Sequence, residues 1–200
     1  MKVQVICGTR LGSTRQIAER IAHRLAEAGL EATAMAPEEV GGQPVADAFV
    51  LGSGVYAGHW QKAVARFARE KAPTLRQRPV WLFSSGPLGD KAAGSAPIEP
   101  QEAQALRRML NARDHRVFAG ALVRDAIEGS DLGRLERAIT RRFIPEGDWR
   151  DWDAIDRWTD AIAASLLEPV VVGVATSSIA QTGRDRPVLP GRATSTGHGA

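Results

Sequence analysis

Val3-Gln4-Val5-Ile6-Cys7 opens the chain as a short β-type run, and turn residues follow it. Ile17, Ile21, Leu25 and Ala28 then recur at helical spacing, with Arg20, His23, Arg24 and Glu27 on other faces. Gly29 supplies the C-terminal stop of that predicted helix. Glu31–Met35 reads as a second strand. Ala48-Phe49-Val50-Leu51, bounded by Asp47 and Gly52, is a continuous apolar run of the kind a strand buried on both faces requires. Val64, Phe67 and Ala68 mark the next helix, and Pro79–Phe83 a fourth strand, with proline tolerable at its first residue. Ala105, Leu106, Met109 and Leu110 give another helical stripe, Val117–Leu122 a fifth strand, and Leu132, Leu135, Ile139 and Phe143 a helix in the insertion after it. Trp152, Ile155, Trp158, Ile162 and Leu166 share one face of the last helix, whose start Asp151 or Asp153 is placed to cap.

Five strands alternating with helices predict an α/β fold, a parallel sheet covered on both faces. The body runs over residues 1–168. From Pro169 to Ala200 there is no aromatic residue, and Pro and Gly interrupt any period, so residues 169–200 read as a disordered or weakly ordered tail.

Composition narrows the function classes. The one cysteine, Cys7, excludes an intramolecular disulfide and a Cys-clustered metal site, and at the end of the first strand it reads as a packed, inert thiol. No apolar run is long enough to span a membrane, and the first ten residues hold too short an apolar stretch for a signal peptide, so a cytoplasmic protein is expected. The formal charge is +3. Arg184, Arg186 and Arg192 against Asp185 place two of those charges in the tail, leaving the body nearly neutral. Nucleic-acid binding, which needs a clustered basic footprint, is therefore not expected.

Three loops carry the candidate chemistry. Gly8-Thr9-Arg10-Leu11-Gly12-Ser13-Thr14-Arg15 joins the first strand to the first helix. Backbone N–H groups of such a loop and of the helix N-terminus converge on one point, where the helix dipole favours an anion. Thr9, Ser13 and Thr14 add hydroxyls, although Ser13 or Thr14 can equally serve as a simple helix cap. Neither GxxxxGK[ST] nor GxGxxG is present, so neither a P-loop triphosphatase nor a dinucleotide fingerprint is indicated. Gly52-Ser53-Gly54-Val55-Tyr56-Ala57-Gly58-His59-Trp60 follows the third strand and holds the single tyrosine, able to stack on an aromatic ligand. Trp60 can either stack there or begin the next helix and pack on the core. Ser84-Ser85-Gly86-Pro87-Leu88-Gly89-Asp90 follows the fourth strand, small and polar enough to offer backbone groups to a planar heterocycle. Elsewhere His115, between Asp114 and Arg116, reads as part of a surface charge cluster. Asp148, Asp151, Asp153 and Asp156 read as helix-start carboxylates, not metal ligands, and no metal site is expected.

The Thr9-x-x-Gly12-x-Thr14 spacing after the first strand resembles the FMN-phosphate loop of the flavodoxin family, and the loops after the third and fourth strands resemble the two that sandwich its isoalloxazine ring. The resemblance covers about Met1 to Leu167. It implies a three-layer sandwich with a five-stranded parallel sheet of order 2-1-3-4-5. It also implies that Thr9, Arg10, Leu11, Gly12, Ser13 and Thr14 hold the FMN phosphate, that Tyr56 and His59 flank the ring, and that Ser84, Ser85, Gly86, Leu88 and Gly89 contact its far edge. Ser13-Thr14-Arg15, Tyr56-Ala57-Gly58-His59-Trp60, Gly120-Ala121-Leu122 and Gly147-Asp148-x-x-Asp151-Trp152 are similar to the flavodoxin-like protoporphyrinogen oxidase branch. That branch has a longer, strongly basic segment after the fourth strand, whereas Lys91 is the only base between Gly86 and Pro100 here. What the resemblance implies is an FMN-binding protein acting in electron transfer or as a flavin-dependent oxidoreductase, with its redox partner or substrate unspecified and no residue assigned to catalysis. The alternative is a flavodoxin-like domain that does not use flavin and serves as an interaction module, its tail being the contact element.

Overall fold

A computed structural model describes residues 1–86, 99–122 and 146–168, with isolated positions 127, 133, 134, 137, 138 and 142 between them. In chain order the elements are β1 (Lys2–Gly8), α1 (Ser13–Glu27), β2 (Glu31–Met35), a 3-10 turn (Pro37–Glu39), β3 (Ala48–Tyr56), β4 (His59–Trp60), α2 (Lys62–Glu70) and α3 (Ala72–Leu75). There follow β5 (Val80–Ser85), α4 (Gln101–Leu110), β6 (Asp114–Phe118), β7 (Ala121–Leu122), β8 (Gly147–Asp148) and α5 (Trp152–Leu167). The main sheet is ordered β2-β1-β3-β5-β6, all parallel, with β4 folded back on β3 as an antiparallel hairpin arm. Counted among the parallel strands alone, this is the expected 2-1-3-4-5 order.

Strand alternation assigns the two faces. Val3, Val5 and Cys7 of β1, Val50 of β3 and Trp81 and Phe83 of β5 pack against α1 and α5. Ile6, Phe49, Leu51, Val80 and Leu82 pack on the other side, against α2, α3 and α4. On the first side Phe83, Phe118 and Trp158 meet edge-on or tilted, with centroids 5.5–6.4 Å apart. The Trp158 indole there donates to Asp114 at 2.9 Å. Cys7 is buried, and burial pushes its thiol up to about 11, which suits the inert role expected of it.

Three sequence expectations change. The fifth strand is displaced: β6 ends at Phe118, and Ala121-Leu122 instead pairs antiparallel with Gly147-Asp148. His115 is not a surface residue; it is an interior position of β6, with only 1 % of its side chain exposed. The near-neutral body also conceals a segregation of charge. Residues 61–79 and 99–112, which cover one face of the sheet, carry eight Lys/Arg against three Asp/Glu. Helices α1 and α5 on the other face carry four against five, and there Arg20 forks onto Asp156 and Arg24 onto Asp160.

The helix-start carboxylates are used locally. Asp151 caps α5 by accepting from the Ala154 N–H at 2.8 Å, while Asp148 bonds Arg150 and Asp156 bonds Arg20. Leu88 and Gly89, the residues Leu132, Leu135, Ile139 and Phe143 that predict the insertion helix, and the tail from 169 onward lie outside the described residues.

Candidate functional site

The sheet reverses its order between β1 and β3. Helix α1 leaves β1 towards one face and α2 leaves the β3–β4 hairpin towards the other, so a crevice opens above the C-terminal ends of these two strands. β1 ends at Gly8, four residues before α1 begins, and Gly12 closes the loop at φ +84°, a left-handed conformation that glycine adopts without strain. The Gly12 N–H donates to Thr9 Oγ1 at 2.9 Å, which folds the loop back on itself. No side chain caps α1, so the capping role open to Ser13 or Thr14 is not the one either fills. Thr14 is buried, with its hydroxyl facing β3 across Gly54.

Tyr56 reaches this loop. A β-carbon at Gly54 would sit 2.8 Å from Tyr56 Cε2 and 3.0 Å from Thr14 Oγ1, so glycine is what lets the tyrosine ring lie flat over the end of β3. The Tyr56 hydroxyl accepts the Arg10 N–H at 3.2 Å. The Arg10 guanidinium stands 5.6 Å from the ring centroid. Burial raises the tyrosine pKa, and the Arg10 N–H together with the Arg10 charge opposes the rise. The loop therefore sets a backbone donor, the Arg10 N–H, on an oxygen atom beside a helix N-terminus. That arrangement suits one oxygen of a phosphate, for which the phenol oxygen is a stand-in. Leu11 itself turns away and packs with Leu122, Ile127 and Trp149, bracing the loop against the β7–β8 ribbon.

The hairpin fixes the other wall. Ala57 (φ +50°) and Gly58 (φ +82°) form its two-residue turn, both left-handed as the strand twist demands. His59 is left exposed at the tip and Trp60 is turned inward, 3 % exposed. Of the two roles open to Trp60, packing inside is the one it takes. Its indole donates to Ser84 Oγ at 2.8 Å, and that oxygen lies 2.9 Å from His115 Nε2. The Glu99 carboxylate, 2.8 Å from Nδ1, favours the histidine proton on that nitrogen, which leaves Nε2 to accept from the Ser84 hydroxyl. Trp60, Ser84 and His115 thus form a buried hydrogen-bonded chain, and the part-exposed Glu99 carboxylate meets its end at ion-pair distance, which ties the segment before α4 to β5 and β6. Its order matches a nucleophilic triad, but Ser84 is 0 % exposed and its oxygen is already engaged, so the chain holds structure together and performs no attack. Burial lowers the His115 pKa, against the opposing pull of Glu99.

Among the other residues expected at the site, Ser85 is buried beside Ser84, and Gly86 donates its N–H to the Phe118 carbonyl at 3.0 Å. Glu99, His115 and the β3–β4 hairpin escape a sequence reading. The available signal was the Ala57-Gly58 pair between Val55-Tyr56 and His59-Trp60, a short hairpin pattern.

A family profile described as a flavodoxin domain matches residues 4–139. The chain belongs to the flavodoxin domain family. No curated protein matches it. Among solved structures, this flavodoxin-family chain is similar to a flavodoxin from the domain Archaea at 15 % identity and TM-score 0.56, covering 83 % of this chain and 99 % of that one. It is also similar to a short-chain flavodoxin associated with a non-canonical PDU bacterial microcompartment, at 11 % identity and TM-score 0.52, covering 82 % and 98 %. A third likeness is to the rubredoxin oxygen:oxidoreductase of Desulfovibrio gigas, at 12 % identity and TM-score 0.51, covering 82 % of this chain and 36 % of that enzyme. At such identities the likeness establishes the flavodoxin fold.

Proposed function

We propose that this flavodoxin-family protein binds FMN above the ends of β1, β3 and β5 and acts in electron transfer. The observation that carries the reading is the glycine-closed loop at the start of α1, whose Arg10 N–H meets an oxygen atom, that of Tyr56, at 3.2 Å. In this reading Thr9, Arg10, Leu11, Gly12, Ser13 and Thr14 hold the phosphate. Tyr56 and His59 flank the ring, and Ser84, Ser85, Gly86, Leu88 and Gly89 meet its far edge. Bound FMN supplies one- and two-electron chemistry. The chain supplies the anion cradle, a hairpin that limits the crevice, and a rigid floor secured by the Trp60–Ser84–His115–Glu99 chain. The finer reading, a flavin-dependent oxidoreductase of the protoporphyrinogen oxidase kind, rests on the four short motifs quoted above.

Titration of the metal-free, flavin-free protein with FMN, followed by flavin fluorescence, tests the proposal. The expected result is stoichiometric quenching, weakened at least tenfold by Thr14→Ala because the buried hydroxyl lies at the cradle wall. No binding to the wild-type protein overturns it. A second reading, a domain that does not use flavin and works as an interaction module, is favoured by one observation: its own tyrosine fills the cradle. Under that reading neither the wild type nor Tyr56→Phe binds FMN, and the tail at 169–200 is the contact element.

A further inference from the structure

The face covered by α2, α3 and α4 is basic in a way that the opposite face is not. Lys62, Arg66 and Arg69 stand at i, i+4 and i+7 of α2, one exposed stripe about 10 Å long. Arg76 and Arg78 extend it past α3, and Arg107 and Arg108 add an exposed pair at the end of α4. Arg69 is matched by Glu102 at 2.6 Å and Arg66 by Glu70 at 3.8 Å. Lys62, Arg76, Arg78, Arg107 and Arg108 have no ion-pair partner among the described residues. On the α1–α5 face, by contrast, the cross-helix forks Arg20–Asp156 and Arg24–Asp160 engage cations and carboxylates with each other. Structural pairing thus accounts for the charge on one face and leaves it unmatched on the other.

A groove of about 620 Å³ crosses the basic face, lined by His59, Trp60, Lys62, Arg66, Arg69 and Glu102. It begins at the β3–β4 hairpin, the wall of the candidate cofactor crevice. Neighbouring charges one helical turn apart on α2, about 5–6 Å, lie within a Debye length of about 8 Å at physiological ionic strength and act on an approaching partner together.

We infer that the α2–α3–α4 face is a docking surface for a protein that presents a carboxylate-rich patch. Charge complementarity selects the occupant. Glu70 and Glu102 interrupt the cations, a mixed pattern that a carboxylate-rich protein surface carrying cations of its own can match and an unbroken phosphate backbone does not. The large hydrophobics exposed among the described residues are Met1, Val45 and Leu167. Val45 stands singly in the loop whose Gln43 bonds Thr74 of α3, and no aromatic side chain is among the three, so the face offers neither an aromatic platform for unpaired bases nor a contiguous apolar wedge for a bilayer. The inference goes beyond flavin binding and does not require it.

The test uses the full chain without FMN. Binding to poly-L-glutamate is measured by fluorescence anisotropy at increasing salt, beside a duplex DNA of random sequence and phosphatidylserine vesicles at matched charge concentration. The face variant combines Lys62→Glu, Arg76→Glu, Arg78→Glu and Arg108→Glu. A second set carries Gln at the same positions, with circular dichroism and thermal melting as checks that both fold. The tail variant combines Arg184→Gln, Arg186→Gln and Arg192→Gln, and Arg157→Glu reverses an exposed cation on the opposite face. The expected result is salt-sensitive poly-glutamate binding that falls by roughly tenfold or more in the Glu set and by less in the Gln set. It should be unchanged in the tail and Arg157 variants. Absence of poly-glutamate binding at low salt, loss in the tail variant alone, or tighter binding of DNA or vesicles through the same four positions each overturns the inference. FMN titration of the face variant, expected to match the wild type, separates this outcome from the fate of the cofactor proposal.

Discussion

Tyr56→Phe isolates one oxygen atom. The substitution keeps the ring over Gly54 and under Arg10 and deletes the hydroxyl that accepts the Arg10 N–H at 3.2 Å. If that oxygen occupies the place of a phosphate oxygen, the flavin-free protein must release it before FMN binds, and the apparent affinity is reduced by the fraction of molecules already open. A single neutral hydrogen bond contributes about 0.5–1.5 kcal/mol net, and the 3.2 Å separation lies at the long end of the normal range. Taking about 1 kcal/mol for the occupied state, removing the competitor should tighten FMN roughly fivefold. The same substitution strips the Arg10 N–H of its acceptor when flavin is absent. The flavin-free protein should then melt about 2–4 °C lower, for the same loss of about 1 kcal/mol in a chain of this size. Two measurements check this: fluorescence titration with FMN, repeated with inorganic phosphate as competitor, and calorimetric melting without ligand. Opposite signs, tighter binding and a lower melting temperature, are the expected pair. Unchanged affinity for FMN and phosphate would refute the competition, because a purely ring-flanking tyrosine keeps its ring in this variant. Weaker affinity would show that the hydroxyl binds the ligand instead of standing in for it.

Gly54→Ala places a β-carbon 2.8 Å from Tyr56 Cε2 and 3.0 Å from Thr14 Oγ1. It should displace the tyrosine and destabilise the flavin-free protein by about 1–3 kcal/mol, read from urea unfolding, as overpacking of a close contact does. Stability should also depend on pH through His115, whose pKa is lowered in the fold, first by burial. Because the unfolded chain binds that proton more readily, stability is fully present above the ordinary value of 6.5. It declines as pH falls from there towards the lower native value, by at most about 1.4 kcal/mol per pH unit. Urea midpoints between pH 8 and pH 5 in the wild type and His115→Gln measure it; a slope identical in both would show that another group is responsible.

Much of the architecture was legible along the chain because each signal is local. Apolar runs marked the strands, the 3.6-residue stripe marked α1 and α5, and the cap of α5 was narrowed to Asp151 or Asp153, of which Asp151 fills the role. The displaced fifth strand shows where such signals run out. Val117–Leu122 is apolar without interruption, yet pairing with β5 begins at Asp114 and ends at Phe118, because Trp81 to Ser85 set the register from outside the segment. His115 was hidden for the same reason. Its charged neighbours describe a surface, while strand alternation turns the imidazole inward to meet Ser84, 31 residues away.

The sequence by itself determined the first four parallel strands and the main helices, the alternation that forces a parallel sheet with two covered faces, and the loop composition suited to an anion. These depend on spacing and on the conformational preferences of single residues. Only the tertiary structure decided that the Arg10 N–H meets the Tyr56 oxygen across 46 residues, and that Trp60 is a buried donor to Ser84. It also decided that a nearly neutral body is basic on one side. That last outcome follows from the crossovers. Helices α1 and α5 land on one face of the sheet and α2, α3 and α4 on the other, so charges that cancel along the chain are separated in space by the thickness of the sheet.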